Sequence, residues 1–347
     1  MIIARTPLRM SFAGGGSDLP EFYREYGGAV ISTSIKRYVY VTVNRKFDNA
    51  IRVAYSKTEE VDSVSQLEHR LVRAALNELG IAGGLEITTV ADIPSRGTGL
   101  GSSSSFTVAL LHALHAYRGQ HASRSRLAEE SCRLEIGACQ EPIGKQDQYA
   151  AAFGGLNLIE FNPDDTVLVS PIVCDSRTIR RLRDNLLLLY TGITRSASDI
   201  LREQTQSLRS NPQIRTTLQR MVQLCYYLRE QMQQNNVEAF GEILHENWEL
   251  KKTLTHGIST SEIDNWYAIA RRSGATGGKI LGAGAGGFLL LYAPADRHDA
   301  ICRALPNLRR VKADFDRQGS QIIFYQPTHE EYDEDRWLEY PDQLPAA

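Results

Sequence analysis

Hydrophobic and polar positions along the chain change period several times, and the changes mark elements. Residues 38–43, YVYVTV, form a β-branched and aromatic run that predicts a strand, with 51–55 as a plausible partner. Residues 65–80 carry Leu67, Leu71, Ala75 and Leu79 at helical spacing. LEITTV at 85–90 reads as a further strand; it runs into a glycine and serine loop, then into an apolar helix over 103–118 and a second helix over 124–138. NLLLLY at 185–190 predicts a buried strand, and helical patterns follow over 197–209, 213–234, 236–253 and 261–273. FLLLY at 288–292 and residues 322–325 predict the last strands. The pattern is α+β, with a division near 180–185. It sets out an N-terminal domain at 1–183, a C-terminal domain at 184–330 and an acidic, proline-bearing tail at 331–347.

Composition narrows the function classes. A chain of 347 residues, 42% hydrophobic, is long for one core and comfortable for two. Its 39 basic and 41 acidic residues give a formal charge of −2, which argues against nucleic acid or an anionic membrane as partner. The five cysteines are odd in number and contain no C-x-x-C pair, so neither a disulfide framework nor a zinc site is expected. The first residues lack the apolar core of a secretory signal, and no apolar run approaches the roughly 20 residues that span a bilayer. A soluble cytoplasmic protein is the expectation.

The strongest local feature is PSRGTGLGSSSS at 94–105, between a strand and a helix. Gly97, Gly99 and Gly101, with Leu100 among them, allow a tight turn and a close approach to a ligand. Ser102, Ser103 and Ser104 then open a helix, whose unpaired N–H groups and dipole favour phosphate. A serine helix cap would need far less than this. No Walker A sequence occurs. GAGAGG at 282–287 formally satisfies G-x-G-x-x-G, but the pattern places a helix before it and a strand after it. That order opposes a dinucleotide fold and an NAD-dependent oxidoreductase, and reads as a tight turn.

Three segments together, RTPLRMSFAGGGSDLPEFY, PSRGTGLGSSSSFTVALLHAL and KILGAGAGGFLLLY, resemble in order and spacing the three motifs of the GHMP kinases, over about residues 2–326. The resemblance implies a two-domain fold: a ribosomal-S5-like α/β N-terminal domain with an unusual left-handed crossover, and a C-terminal α+β domain. It also implies ATP, Mg²⁺ and a small-molecule acceptor, in a monomer or homodimer. GKQDQYAAAFGG at 144–155, YTGITRSASDIL at 190–201 and GGKILGAGAGGF at 277–288 resemble the D-glycero-D-manno-heptose 7-phosphate kinases, which phosphorylate the anomeric hydroxyl. Ala285 departs from a common glycine, tolerable if its backbone is ordinary for an L-residue. A kinase for fucose or an N-acetylhexosamine, or a non-catalytic sugar-binding relative, are the competing readings.

The resemblance assigns roles. Asp147 matches the catalytic aspartate, against the plainer role of capping the helix QYAAAF; Arg9 matches the basic residue that balances charge at the transferring phosphoryl group. Glu135 and Ser103 match the magnesium ligands, with Ser102 as the near alternative. Asp18 matches a sugar-binding aspartate and could also cap the helix through Glu21 in a capping box. Gly15 and Gly16 stand where galactokinase-like enzymes carry a Glu-His pair on the sugar's outer hydroxymethyl, so both glycines are read as opening room. Ser17, Gly284 and Gly286 complete the substrate set. A sugar phosphate needs a cation, first Arg195, with Lys36, Arg37, Lys145 and the pair Lys251-Lys252 in reserve. His112 and His115, on an apolar helix, are read as packing.

Overall fold

The computed structural model describes residues 1–93, 97–194 and 197–326. The chain opens with β1 (Ile2–Ala13), helix α1 (Pro20–Tyr26) and β2 (Gly28–Arg45). The strand predicted at 38–43 is thus part of the second half of an 18-residue strand. Its first eight residues, from Gly28, are buried, and Ile31–Ile35 among them pair with β1. Next come β3 (Ile51–Ala54), β4 (Thr58–Val61), α2 (Arg70–Glu78), β5 (Leu85–Ala91) and α3 (Ser102–Tyr117). Helix α2 is shorter than its periodicity predicts. The Glu59 carboxylate accepts from the backbone N–H groups of Glu68 and His69, which holds that stretch out of the helix until Arg70.

Helix α4 (Arg124–Cys132) passes into a wider, π-helical segment over Arg133–Ala138, where the sequence predicts one continuous helix. Then follow α5 (Gln146–Phe153), β6 (Leu156–Phe161), β7 (Val167–Pro171) and α6 (Ser176–Asn185). One sheet runs β12 (Gln321–Tyr325)-β1-β2-β5-β3-β4, and β6 joins β2, with β7 on its outer edge. Strand β2 is long enough to carry β6 along Gly28–Thr33 and β5 along Val39–Arg45. The nearly wholly buried helix α3 packs on β1 and β2 and against α5, so its first turn meets the ends of those elements.

A second sheet begins with β8 (Leu186–Tyr190) and is ordered β11 (Arg309–Val311)-β8-β10 (Phe288–Tyr292)-β9 (Gly277–Ile280). Between its strands lie α7 (Ala197–Ser210), α8 (Pro212–Gln233), α9 (Phe240–Lys252) and α10 (Ser261–Arg272). After them come β9 (Gly277–Ile280), β10 (Phe288–Tyr292), α11 (His298–Ala304) and β11 (Arg309–Val311). The last strand, β12 (Gln321–Tyr325), crosses back to pair with β1. GAGAGG therefore has a strand before it, not the helix the pattern predicts. It joins two antiparallel neighbours, so no helix follows it and a dinucleotide fold is still excluded. GGKI is a weak strand signal because two of its four residues are glycine.

The second half holds the loop after β1 in place. Asn247 Oδ1 accepts from Gly14 N, Lys279 Nζ donates to Phe12 O, and the Cys225 thiol donates to Ala29 O. The five cysteines are free, and His115 pairs with Glu130 at 2.5 Å inside the helical layer, a packing role as expected. Among the described residues no helix is long and apolar enough to cross a membrane. The tail at 331–347 lies outside them.

Candidate active site

Two glycine loops meet backbone to backbone. Gly97, Gly99 and Gly101 all have φ between 67° and 73°, a region that costs other residues energy. At Gly99 a Cβ would lie 2.2 Å from Leu281 O, and at Gly282 a Cβ would lie 2.4 Å from Gly99 Cα. These glycines are needed for the approach of one loop to the other. Gly101, left-handed at φ 73°, is the N-cap of α3, so the free N–H groups of a 16-residue helix open at this junction. Gly284 and Gly286 face other backbone: their Cβ positions lie 2.6 Å from Ile258 O and Ile193 O. Both are packing positions, and the cavity is lined instead by Gly282 and Ala283. Ala285 sits at φ 62°, so its backbone is not the ordinary one expected. Its N–H donates to Ile258 O at 2.8 Å, which holds it there.

Beneath Gly101, Arg9 and Asp147 form a two-bond fork: Nε to Oδ1 at 2.8 Å and Nη2 to Oδ2 at 2.7 Å. The third arm of the guanidinium, Nη1, donates to Gly99 O at 2.7 Å, and Arg9 N donates to Leu100 O at 3.0 Å. Leu100 itself is buried and contributes through that carbonyl. Arg9 thus ties the phosphate loop to the carboxylate. Asp147 lies in the first turn of α5, whose N-cap is Lys145, so it does not cap that helix. The Arg9 side chain is 4% exposed and that of Asp147 24%, so a ligand can reach the carboxylate but hardly the guanidinium.

Asp18 is buried beside this pair. It accepts from Gly16 N at 3.0 Å, Gln146 N at 3.2 Å and Gln146 Nε2 at 3.0 Å. Burial, and then the like charge of Asp147, push its carboxyl above the usual range. The expected capping box is absent: the N-cap of α1 is Leu19, and Glu21 pairs with Arg209. Gly144 lies so close that a Cβ would fall 2.0 Å from Asp18 Oδ2. Ser17 points away; its hydroxyl donates to Ala29 O and accepts from Ala29 N, a structural brace rather than a cavity wall.

Glu135 sits in the π-helical segment, fully buried. It accepts from Ser103 Oγ (3.2 Å), Ser104 Oγ (2.8 Å), Thr107 Oγ1 (3.0 Å) and Gln148 Nε2 (2.5 Å). Burial raises its carboxyl to about 7, against the opposing pull of those donors. Among the described residues no cation pairs with it. Ser102 contacts Thr98 rather than Glu135. Among the described residues no group of three or more His, Cys, Asp or Glu could hold a metal. The oxygen-only pair of Glu135 and Ser103 suits a hard ion such as Mg²⁺, which takes few protein ligands when phosphates supply the rest.

These residues open on one cavity of about 240 Å³, lined by Arg9, Gly15, Gly16, Asp18, Gly97 to Gly99, Gly101 to Ser104 and Asp147. Among the further walls that sequence reasoning missed are Ser11, Ser198, Leu201, Gln204 and, as a ligand-facing residue, Gln146. Gln146 was inside a motif, but Gln204 carries no local signal. Gly15 opens room as expected. Gly16 does not, because Gln204 fills its space and a Cβ there would lie 2.3 Å from Gln204 Nε2. Of the reserve cations, Lys36 pairs with Asp314, Arg37 donates to backbone carbonyls, Lys145 holds Asp165, and Lys252 pairs with Glu249 and Asp264. Lys251 alone among them lines the cavity. Arg195 lies outside the described residues.

Comparison with known proteins bears on this arrangement. The family profile described as GHMP kinases N terminal domain matches residues 67–155, and that described as GHMP kinases C terminal matches residues 228–309. The first match contains the phosphate loop, Glu135 and Asp147; the second contains the loop that meets Gly99. The chain belongs to the GHMP kinases. As a GHMP kinase it is an ATP-dependent phosphotransferase with the two-domain fold of that family. It is 28% identical to the D-glycero-alpha-D-manno-heptose 7-phosphate kinase of Campylobacter jejuni, over 90% of this chain and 96% of that protein. It is 26% identical to the L-fucokinase/L-fucose-1-P guanylyltransferase of Bacteroides fragilis, over 93% of this chain but 38% of that larger protein. Among solved structures, a D-glycero-D-manno-heptose 1-phosphate kinase from Bacteroides thetaiotaomicron superposes with a TM-score of 0.78 at 26% identity. That match covers 94% of this chain and 100% of the other. Galactokinase from Lactococcus lactis, complexed with galactose, superposes with a TM-score of 0.73 over 92% of this chain and 94% of the other. At 18% identity that likeness concerns the fold alone.

Proposed function

We propose that this GHMP kinase transfers the γ-phosphoryl group of ATP to the anomeric hydroxyl of D-glycero-D-manno-heptose 7-phosphate, giving the 1,7-bisphosphate and ADP. The observation that carries the chemistry is the Arg9–Asp147 fork under the N-terminus of α3. The acceptor oxygen attacks the γ-phosphorus, the bond to the β,γ-bridging oxygen breaks, and the acceptor proton passes to the Asp147 carboxylate. Arg9 keeps that carboxylate aimed, and the N–H groups at Gly101 to Ser104 face the phosphates. Glu135 and Ser103 would hold Mg²⁺, which neutralises charge on the phosphates when bound. Asp18, with both oxygens fixed by Gly16 and Gln146, is placed to orient acceptor hydroxyls.

The choice of a sugar acceptor is supported by the heptose and fucose kinases among the relatives. The choice of heptose 7-phosphate is supported by the space at Gly15, which suits an extended sugar, and by the likeness to the heptose 7-phosphate kinase over nearly both whole chains. A kinase for fucose is the second reading, favoured by the likeness to fucokinases. The test is an ADP-release assay over heptose 7-phosphate, the unphosphorylated heptose, mannose, fucose, galactose and mevalonate. The highest kcat/KM is expected for heptose 7-phosphate. A preference for fucose moves the assignment to the second reading.

A further inference from the structure

At Gly15 the cavity has a gap with polar walls. A Cβ built there meets nothing closer than 3.8 Å, and the three atoms at that distance are Gln146 Nε2, Lys251 Nζ and Ser11 Oγ. Gly15 is not among the positive-φ residues, so no backbone strain keeps the space clear. Two walls carry atoms that lack partners. Ser11, 4% exposed, has an Oγ without a hydrogen bond, and Gln146 has a free Oε1. Gln204 Nε2, on a side chain 1% exposed and unpartnered as well, bounds the same cavity from α7. Buried polar atoms are rarely left so, and several around one cavity point to a polar ligand.

Lys251 is the charged wall. It lies in the last turn of α9 and is 4% exposed. Its single hydrogen bond among the described residues is a donation to Gly282 O. An ammonium group has three donors, so two are left without an acceptor among the described residues. Among the described residues no carboxylate forms an ion pair with it, although Asp18 and Asp147 lie near enough to act on its charge. Asp147 is in the fork of Arg9, Asp18 is occupied by Gly16 and Gln146, and the neighbouring acids Glu249 and Asp264 are taken by Lys252. A buried cation without a counter-ion is costly, and an anion in the gap would relieve it. Burial, then the charge of Arg9, hold the lysine down to about 8, so at neutral pH it still carries its proton for the most part.

We propose that Lys251 and Ser11, at the gap left by Gly15, form the subsite for a phosphate monoester on the acceptor, and so make this kinase choose a phosphorylated sugar over a neutral one. The subsite rests on the sugar-phosphate reading above and puts the phosphate-binding cation on α9. Gln146 Oε1 and Gln204 Nε2 are left for acceptor hydroxyls.

The test measures one ratio, kcat/KM for heptose 7-phosphate over kcat/KM for the unphosphorylated heptose. Loss of one charge-assisted contact lowers a specificity constant by roughly tenfold to 150-fold. Lys251→Met should lower the ratio by that factor, and Lys251→Arg should recover part of it. If the wild-type enzyme shows no preference for the phosphorylated sugar, the acceptor reading itself falls. If it does prefer that sugar but Lys251→Met lowers both constants equally, the acceptor reading stands and the Lys251 subsite is overturned. Should Lys251→Met fail to fold, Gly15 decides the matter, since its Cβ has room. Gly15→Asp sets a carboxylate against Lys251, and Gly15→Asn sets an equal volume without charge. The aspartate should lower the ratio at least about tenfold more than the asparagine; equal effects overturn the subsite.

Discussion

Replacing Asp147 by asparagine tests the chemistry at its centre. The side chain keeps its volume, so the change is one of charge and of one oxygen. In the wild type both carboxylate oxygens accept from Arg9, at 2.8 and 2.7 Å. Asparagine keeps one acceptor and turns an amide N–H₂ toward a guanidinium donor, so at least one charge-assisted bond is lost. Such bonds contribute about 1.5–3 kcal/mol. With Asp147 24% exposed, water softens the loss and the low end, about 1.5 kcal/mol of stability, applies. Arg9 is held elsewhere by Gly99 O, so the phosphate loop should keep its place. The loss in turnover is larger. Removing the group that takes the acceptor proton should lower kcat by roughly 10²–10⁴, or about 2.7–5.4 kcal/mol in the barrier, with little change in the KM for ATP. Steady-state ADP release, read beside a thermal melt, separates the two effects. A kcat within about threefold of wild type would refute the proton-acceptor role. A loss near tenfold would leave Asp147 only orienting the hydroxyl.

Glu135→Gln should raise the Mg²⁺ concentration needed for half-maximal rate and lower kcat, with Ser103→Ala weaker in the same direction; a titration unchanged from wild type would place the metal elsewhere. Gly144→Ala would drive a methyl to 2.0 Å from Asp18 Oδ2, so the KM for the acceptor should rise roughly tenfold or more while that for ATP changes little, read by varying each substrate in turn. Lys251, facing Arg9, Asp18, Asp147 and Lys279, has its pKa lowered to about 8 chiefly by burial. A lowered base is charged below that value and neutral above it. The KM for the phosphorylated acceptor should therefore hold near pH 7 and climb above about pH 8, by at most tenfold per unit; a flat profile to pH 9.5 opposes a role for the ammonium. Gly99→Ala combines a positive φ with a 2.2 Å approach to Leu281 O and should lower stability by more than about 2 kcal/mol, measurable as a shift in Tm.

The motifs were legible in the sequence because they answer to local rules. A glycine at Gly97, Gly99 or Gly101 is required by that residue's own backbone. The serines that follow mark the start of α3, where free N–H groups open, although the hydroxyls of Ser103 and Ser104 turn to Glu135 rather than cap the helix. The run FLLLY forms a strand for the same reason: five consecutive apolar residues, buried on both faces, need little from their neighbours to declare the element. Arg9, Glu135 and Asp147 were found through the family resemblance rather than from local pattern alone, and the fold brings all three to one loop.

Tertiary structure decided what depends on a partner distant in sequence. GGKI becomes a strand only because β10 lies beside it. The turn around Glu135 widens into a π segment, and the buried carboxylate there meets hydroxyls from α3 that no helical periodicity anticipates. Ala285 adopts a left-handed backbone because Ile258 O takes its N–H. Gly15 and Gly16 look alike in sequence, yet one has room for a Cβ among polar side chains and the other meets the side chain of Gln204, contributed by a helix almost two hundred residues away. Lys251 and Lys252 are likewise adjacent and chemically identical. A helix turns about 100° per residue, so the first points into the cavity and the second into a pair of surface carboxylates. Sequence alone supplied the residue types for phosphoryl transfer, and the packing of α7 and α9 against the loop after β1 selected which polar side chains line the cavity.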